Sequence, residues 1–114
     1  LTNDNILSLS GDGSKYEDGI FHLYNSGFEG SGGYIQFINN GYSALTFTVT
    51  AHEKEHVVAA GGNDSVYGDI RLMEEVGTNE VKTFTVDISG VKRGTIRVFS
   101  GSFCNAEITN IYLS

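Results

Sequence analysis

Leu45-Thr46-Phe47-Thr48-Val49-Thr50 alternates apolar and hydroxyl side chains without a break. Side chains of a strand point to opposite faces in turn, so Leu45, Phe47 and Val49 belong to a core and the threonines to water. The stretch therefore reads as a half-buried antiparallel strand. Phe84-Thr85-Val86-Asp87-Ile88 and Thr95-Ile96-Arg97-Val98 repeat the pattern. Further strand candidates are 6–10, 20–25, 34–38, 68–73 and 108–113. Phe37, Phe47 and Phe84 fall on inward positions and are expected in the core. Turn signals such as Asn39-Asn40-Gly41, Gly77-Thr78-Asn79 and Ser89-Gly90 separate the runs. About eight short strands with regular turns predict an all-β, two-sheet antiparallel sandwich, specifically a jelly roll.

The 114 residues fit one domain over 1–114, large enough to build a core without staples. Fifteen glycines and no proline suit a chain of many tight turns. Seven Lys and Arg against fourteen Asp and Glu give a net charge of −7, which repels nucleic acid. No apolar run approaches the ~20 residues of a membrane-spanning helix, so no membrane insertion is expected. The chain opens at Leu1 without a signal-like segment, so it is expected to be a piece of a larger protein whose other domains are its partners. Cys104, the single cysteine, is expected to behave as a small buried hydrophobe.

His52-Glu53-Lys54-Glu55-His56 matches the His-Glu-x-x-His pattern of zinc hydrolases, with Glu75 further along as a third ligand. The pattern works on a helix, where the two histidines share a face; in a strand they stand about 13 Å apart. Here the stretch follows directly on a threonine-rich strand, and its middle positions are charged. The favoured reading is a solvated strand end and loop, and a zinc hydrolase is the minor alternative.

Two stretches resemble the NPCBM family, novel putative carbohydrate-binding modules found beside bacterial glycosidases. One runs from Gly33 to Leu45 through Asn39-Asn40-Gly41-Tyr42. The other runs from Val66-Tyr67-Gly68-Asp69 to Val86-Asp87-Ile88-Ser89-Gly90-Val91-Lys92, and Gly19-Ile20-Phe21-His22 is a weaker echo. The resemblance covers about residues 19–98. It implies a jelly-roll module of a secreted or cell-surface bacterial protein, without catalysis of its own, that binds a polysaccharide or glycoconjugate glycan. The chain departs from the family at Phe103–Ile108, and it contains no Trp.

Sugars offer C–H faces to aromatic rings and hydroxyls to planar polar groups. Loops on a rigid sandwich are the usual place for such groups. Tyr16, Tyr42, Tyr67, Phe103 and Asn105 are accordingly the candidate ligand-binding residues. Strand alternation predicts that Tyr16, Tyr42 and Phe103 share one end of the sandwich, with a 53–66 loop at the other. Outward Arg71, Arg97 and Phe99 form an alternative site on a concave sheet face. Asp12, Glu17, Asp18 and Glu107 are candidates for a structural calcium. The competing non-enzymatic reading is a structural or adhesive spacer, which needs only the fold.

Overall fold

The computed structural model describes residues 6–10, 14–25, 32–62, 69–99 and 104–114. The strands are β1 (Ile6–Ser10), β2 (Lys15–Glu17), β3 (Ile20–Asn25), β4 (Gly33–Ile38), β5 (Ala44–Ala51), β6 (Glu55–Gly62), β7 (Asp69–Val76), β8 (Val81–Asp87), β9 (Arg93–Phe99) and β10 (Cys104–Leu113). They form two five-stranded antiparallel sheets, β1-β4-β9-β6-β7 and β2-β3-β10-β5-β8. Among the described residues there is no helix. The predicted antiparallel sandwich is therefore the observed architecture.

The founding strand behaves as its alternation requires. Leu45, Phe47 and Val49 are buried, and Phe47 packs its ring 5.6 Å from that of partly buried Phe84. Phe37 is buried as well. On the other side of the sheet the threonines pair across strands. Thr46 and Thr85 hydroxyls lie 3.1 Å apart, and those of Thr48 and Thr83 lie 2.9 Å apart. In β10, Cys104, Ala106 and Ile108 are buried at even positions, yet so is Ile111. The phase changes at a register shift between Thr109 and Tyr112, where Asn110 takes φ 52°. This is a bulge, which turns the following side chains to the opposite face. Cys104 is buried as expected, its Sγ 3.6 Å from the Leu23 carbonyl oxygen.

Two strands lie where loops were expected. Residues 55–62 are β6 rather than part of a 53–66 loop, and Tyr16 sits in β2 rather than in an irregular connection. Asp18 and Gly19, at φ 53° and 80°, make the two-residue turn of the β2–β3 hairpin. Asp-Gly tolerates that left-handed pair at small cost.

Side chains close the seam between edge strands β7 and β8. Arg71 Nη1 donates to the Asp87 and Ser89 carbonyls at 3.2 and 2.9 Å, and Lys82 Nζ to the Glu75 carbonyl at 3.1 Å. At one end, buried Asn39 ties the β4–β5 turn to the β8–β9 turn. Its Nδ2 donates to Tyr42 O and Val91 O, both at 2.9 Å, and its Oδ1 accepts from Tyr42 N at 3.0 Å.

Candidate functional site

Strand β9 runs down the middle of the first sheet. Ile96 and Val98 point into the core, and Gly94 lies under the Phe37 ring. Thr95, Arg97 and Phe99 therefore face outward. Register places Tyr34 of β4 beside Arg97 and Gln36 beside Thr95. His56 of β6 stands between Phe99 and Glu75.

The centre of this outward face is buried. Arg97 and Thr95 are only 4% and 5% exposed, whereas Met73, in the same row as Arg97 two strands away, is 62% exposed. The Arg97 guanidinium lies 4.6 Å from the Phe99 ring centroid. His56 stacks on the same ring, with centroids 5.2 Å apart and planes at 28°. Glu75 Oε1 lies 3.6 Å from His56 Nδ1, and its Oε2 lies 3.7 Å from Lys54 Nζ. A guanidinium over an aromatic face is held by the ring quadrupole, which fixes its plane. The face thus sets an aromatic ring, a buried guanidinium, an imidazole and the Gln36 side chain on neighbouring strands. These are the groups a polyhydroxylated ligand needs.

Of the outward residues named from the sequence, Arg97 and Phe99 meet here. Arg71 does not, because it reaches across the seam to β8. Tyr34, Gln36 and His56 were missed as members, although they occupy the outward phase of their strands.

The loop candidates fall partly on described residues. Tyr67, Phe103 and Asp12 lie outside the described residues. Tyr42, 44% exposed, sits beside the end of β10, where Ser43 N donates to Ser114 O. Cys104 begins β10 about 30 Å of strand away. Tyr42 therefore lies at the opposite end of β10 from Cys104. Tyr16 packs on Phe21 with centroids 4.5 Å apart. Asn105 is the second residue of β10, not a loop residue. It faces outward on the second sheet, paired with exposed Tyr24.

Two of the carboxylates considered for calcium, Glu17 and Glu107, have side-chain partners. Glu17 Oε2 binds Lys15 Nζ at 2.9 Å, which holds its carboxyl below the usual range. Glu107 Oε1 lies 3.2 Å from His52 Nε2 and 3.8 Å from His22 Nδ1. Asp18 occupies the hairpin turn. Among the described residues no three His, Cys, Asp or Glu side chains gather as a metal site.

The His-Glu-x-x-His segment is split between a turn at 52–54 and the start of β6. Its histidines serve different sheets, His52 beside Glu107 and His56 beside Glu75. Glu55 departs from the expected solvated strand end, being 0% exposed. Its Oε1 accepts the Asn105 backbone N–H at 2.9 Å, and its Oε2 has no hydrogen-bond partner among the described residues. Burial pushes its carboxyl up to about 7, against the opposing pull of the Asn105 N–H. The alternation Glu55, Val57, Ala59 carries the signal for that inward position.

The chain matches no protein-family model and no curated protein. Its fold does match solved structures. A family 29 carbohydrate-binding module superposes with a TM-score of 0.67 at 16% identity, over 97% of this chain and 78% of that one. A variant of a family 29 module complexed with mannohexaose gives 0.66 at 15% identity, over 97% and 81%. A family 6 module from Clostridium stercorarium in complex with cellobiose gives 0.64 at 16% identity, over 100% and 91%. At such identities the likeness is one of architecture: this chain has the β-sandwich fold that those carbohydrate-binding modules share.

Proposed function

We propose that the chain is a non-catalytic carbohydrate-binding module, akin to the NPCBM family, that tethers a larger extracellular bacterial protein to a polysaccharide or glycoconjugate glycan. The observation that carries this reading is the outward face of the first sheet, where Arg97 and His56 both lie against the Phe99 ring. Two of the matched solved structures hold mannohexaose and cellobiose, which supports an oligosaccharide as the ligand class. Stacking on Tyr34 and Phe99 supplies the contact area, and Gln36, Arg97 and His56 supply direction.

Affinity electrophoresis through gels containing soluble β-glucans, mannans and glycoconjugates tests the proposal. Retention that weakens in Tyr34→Ala, with the fold intact by circular dichroism, is the expected result. Folded protein that migrates freely through every gel rejects it and favours the spacer reading. No hydrolysis products should form in any gel.

A further inference from the structure

Asn39 and Asn40 are adjacent in sequence and opposite in circumstance. The Asn39 carboxamide is buried and held by Tyr42 and Val91. Asn40 is exposed, and its side chain makes no hydrogen bond among the described residues. Gly41, also exposed, adopts φ +90°, and nothing lies within 4 Å of the place a Cβ would occupy. Its backbone N–H is bonded to nothing among the described residues.

We propose that Asn40 is a site of spontaneous deamidation, with the Gly41 backbone nitrogen as nucleophile. That nitrogen attacks Asn40 Cγ, a C–N bond forms, and ammonia leaves with the amide nitrogen. The product is a cyclic imide. Water then opens the ring at either carbonyl, giving aspartate or isoaspartate, so water is consumed, ammonia is released, and nothing is oxidised or reduced. A missing side chain on the attacking residue is what makes the approach open.

Asn39, Asn79, Asn105 and Asn110 lack this combination. The Asn39 amide is pinned. The nitrogen following Asn79 is bound, since Glu80 N donates to Gly77 O at 3.0 Å. Asn105 and Asn110 precede Ala106 and Ile111, both buried in β10.

The two products differ in consequence. Aspartate keeps the backbone length and adds one negative charge to an exposed turn. Isoaspartate inserts a methylene into the main chain between Asn39 and Tyr42. Those two residues are bound to each other three positions apart, at 2.9 and 3.0 Å, and a longer path cannot keep both bonds. Isoaspartate at 40 therefore releases the Asn39 plug, whereas aspartate does not.

The test incubates the folded protein in mildly alkaline buffer at body temperature, with peptide mass mapping and isoaspartyl methyltransferase labelling. The expected result is amide-to-acid conversion at Asn40 several-fold faster than at Asn39, Asn79, Asn105 or Asn110, and lost in Asn40→Gln. Conversion at Asn39 as fast as at Asn40, or none at Asn40, overturns the assignment. The aged isoaspartyl fraction should melt at a lower temperature than fresh protein, while Asn40→Asp melts with it. An isoaspartyl fraction as stable as fresh protein overturns the proposed release of the plug.

Discussion

The Glu55 carboxylate accepts the Asn105 backbone N–H at 2.9 Å, from inside the sandwich, across the junction of the two sheets. Asn105 is bound on its other side as well, its carbonyl accepting from His52 N at 3.0 Å. The start of β10 is thus pinned by the turn that begins β6. A carboxyl in this position titrates near pH 7, well above the ordinary value of 4.5.

The sign of the resulting pH dependence follows. The unfolded chain releases this proton near pH 4.5 and the folded chain near 7, so the folded state binds more protons between them. The stabilising contribution is complete below pH 4.5 and is lost as pH rises through 7. It amounts to about 3 kcal/mol at 1.4 kcal/mol per pH step. Urea denaturation of Glu55→Gln should show a gain over the parent at pH 8 that shrinks towards pH 5. An equal difference at both values would contradict the burial account.

Removing the Phe99 ring should weaken glycan retention by about 1–2 kcal/mol, or roughly five- to thirty-fold in Kd. Phe99→Ala takes away the surface against which both Arg97 and His56 lie. Isothermal titration with the best-retained oligosaccharide measures the change. Tyr16→Ala, on the second sheet, should leave affinity unaltered.

Asn39→Ala should lower stability by about 2–4 kcal/mol, because Tyr42 N and the Val91 carbonyl lose their partner together. Thermal unfolding reads this directly. Asn40→Ala, one residue away, should change stability little.

Gly94 lies where any side chain would enter the Phe37 ring. Gly94→Ala forces that buried ring to move and should cost about 1–3 kcal/mol in chemical denaturation. The double change Gly94→Ala with Phe37→Leu should recover part of the loss.

Legibility in the sequence followed alternation. Leu45-Thr46-Phe47-Thr48-Val49-Thr50 predicted its own strand and the sandwich around it, because one wet and one dry face leave a period of two. The 55–62 strand was hidden because Val57-Val58-Ala59-Ala60-Gly61-Gly62 shows no such contrast, and because the charged residues ahead of it suggested solvent. The candidate face was half legible. Arg97 and Phe99 stood out as outward positions on one strand, yet their partners Tyr34, Gln36 and His56 come from strands distant in sequence. Only the order β4-β9-β6 brings them together, and strand order is a long-range property that local pattern does not encode.

The crossing of Arg71 and Lys82 between β7 and β8 has a bearing on how copies of the molecule meet. Edge strands invite pairing with other chains when their polar backbone is left vacant. Along this flank the carbonyls of Glu75, Asp87 and Ser89 are already engaged by cationic side chains. Two molecules approaching edge to edge would have to displace those cations and bring like charges together. Crowded copies are thereby steered away from growing into a continuous, fibre-like ladder.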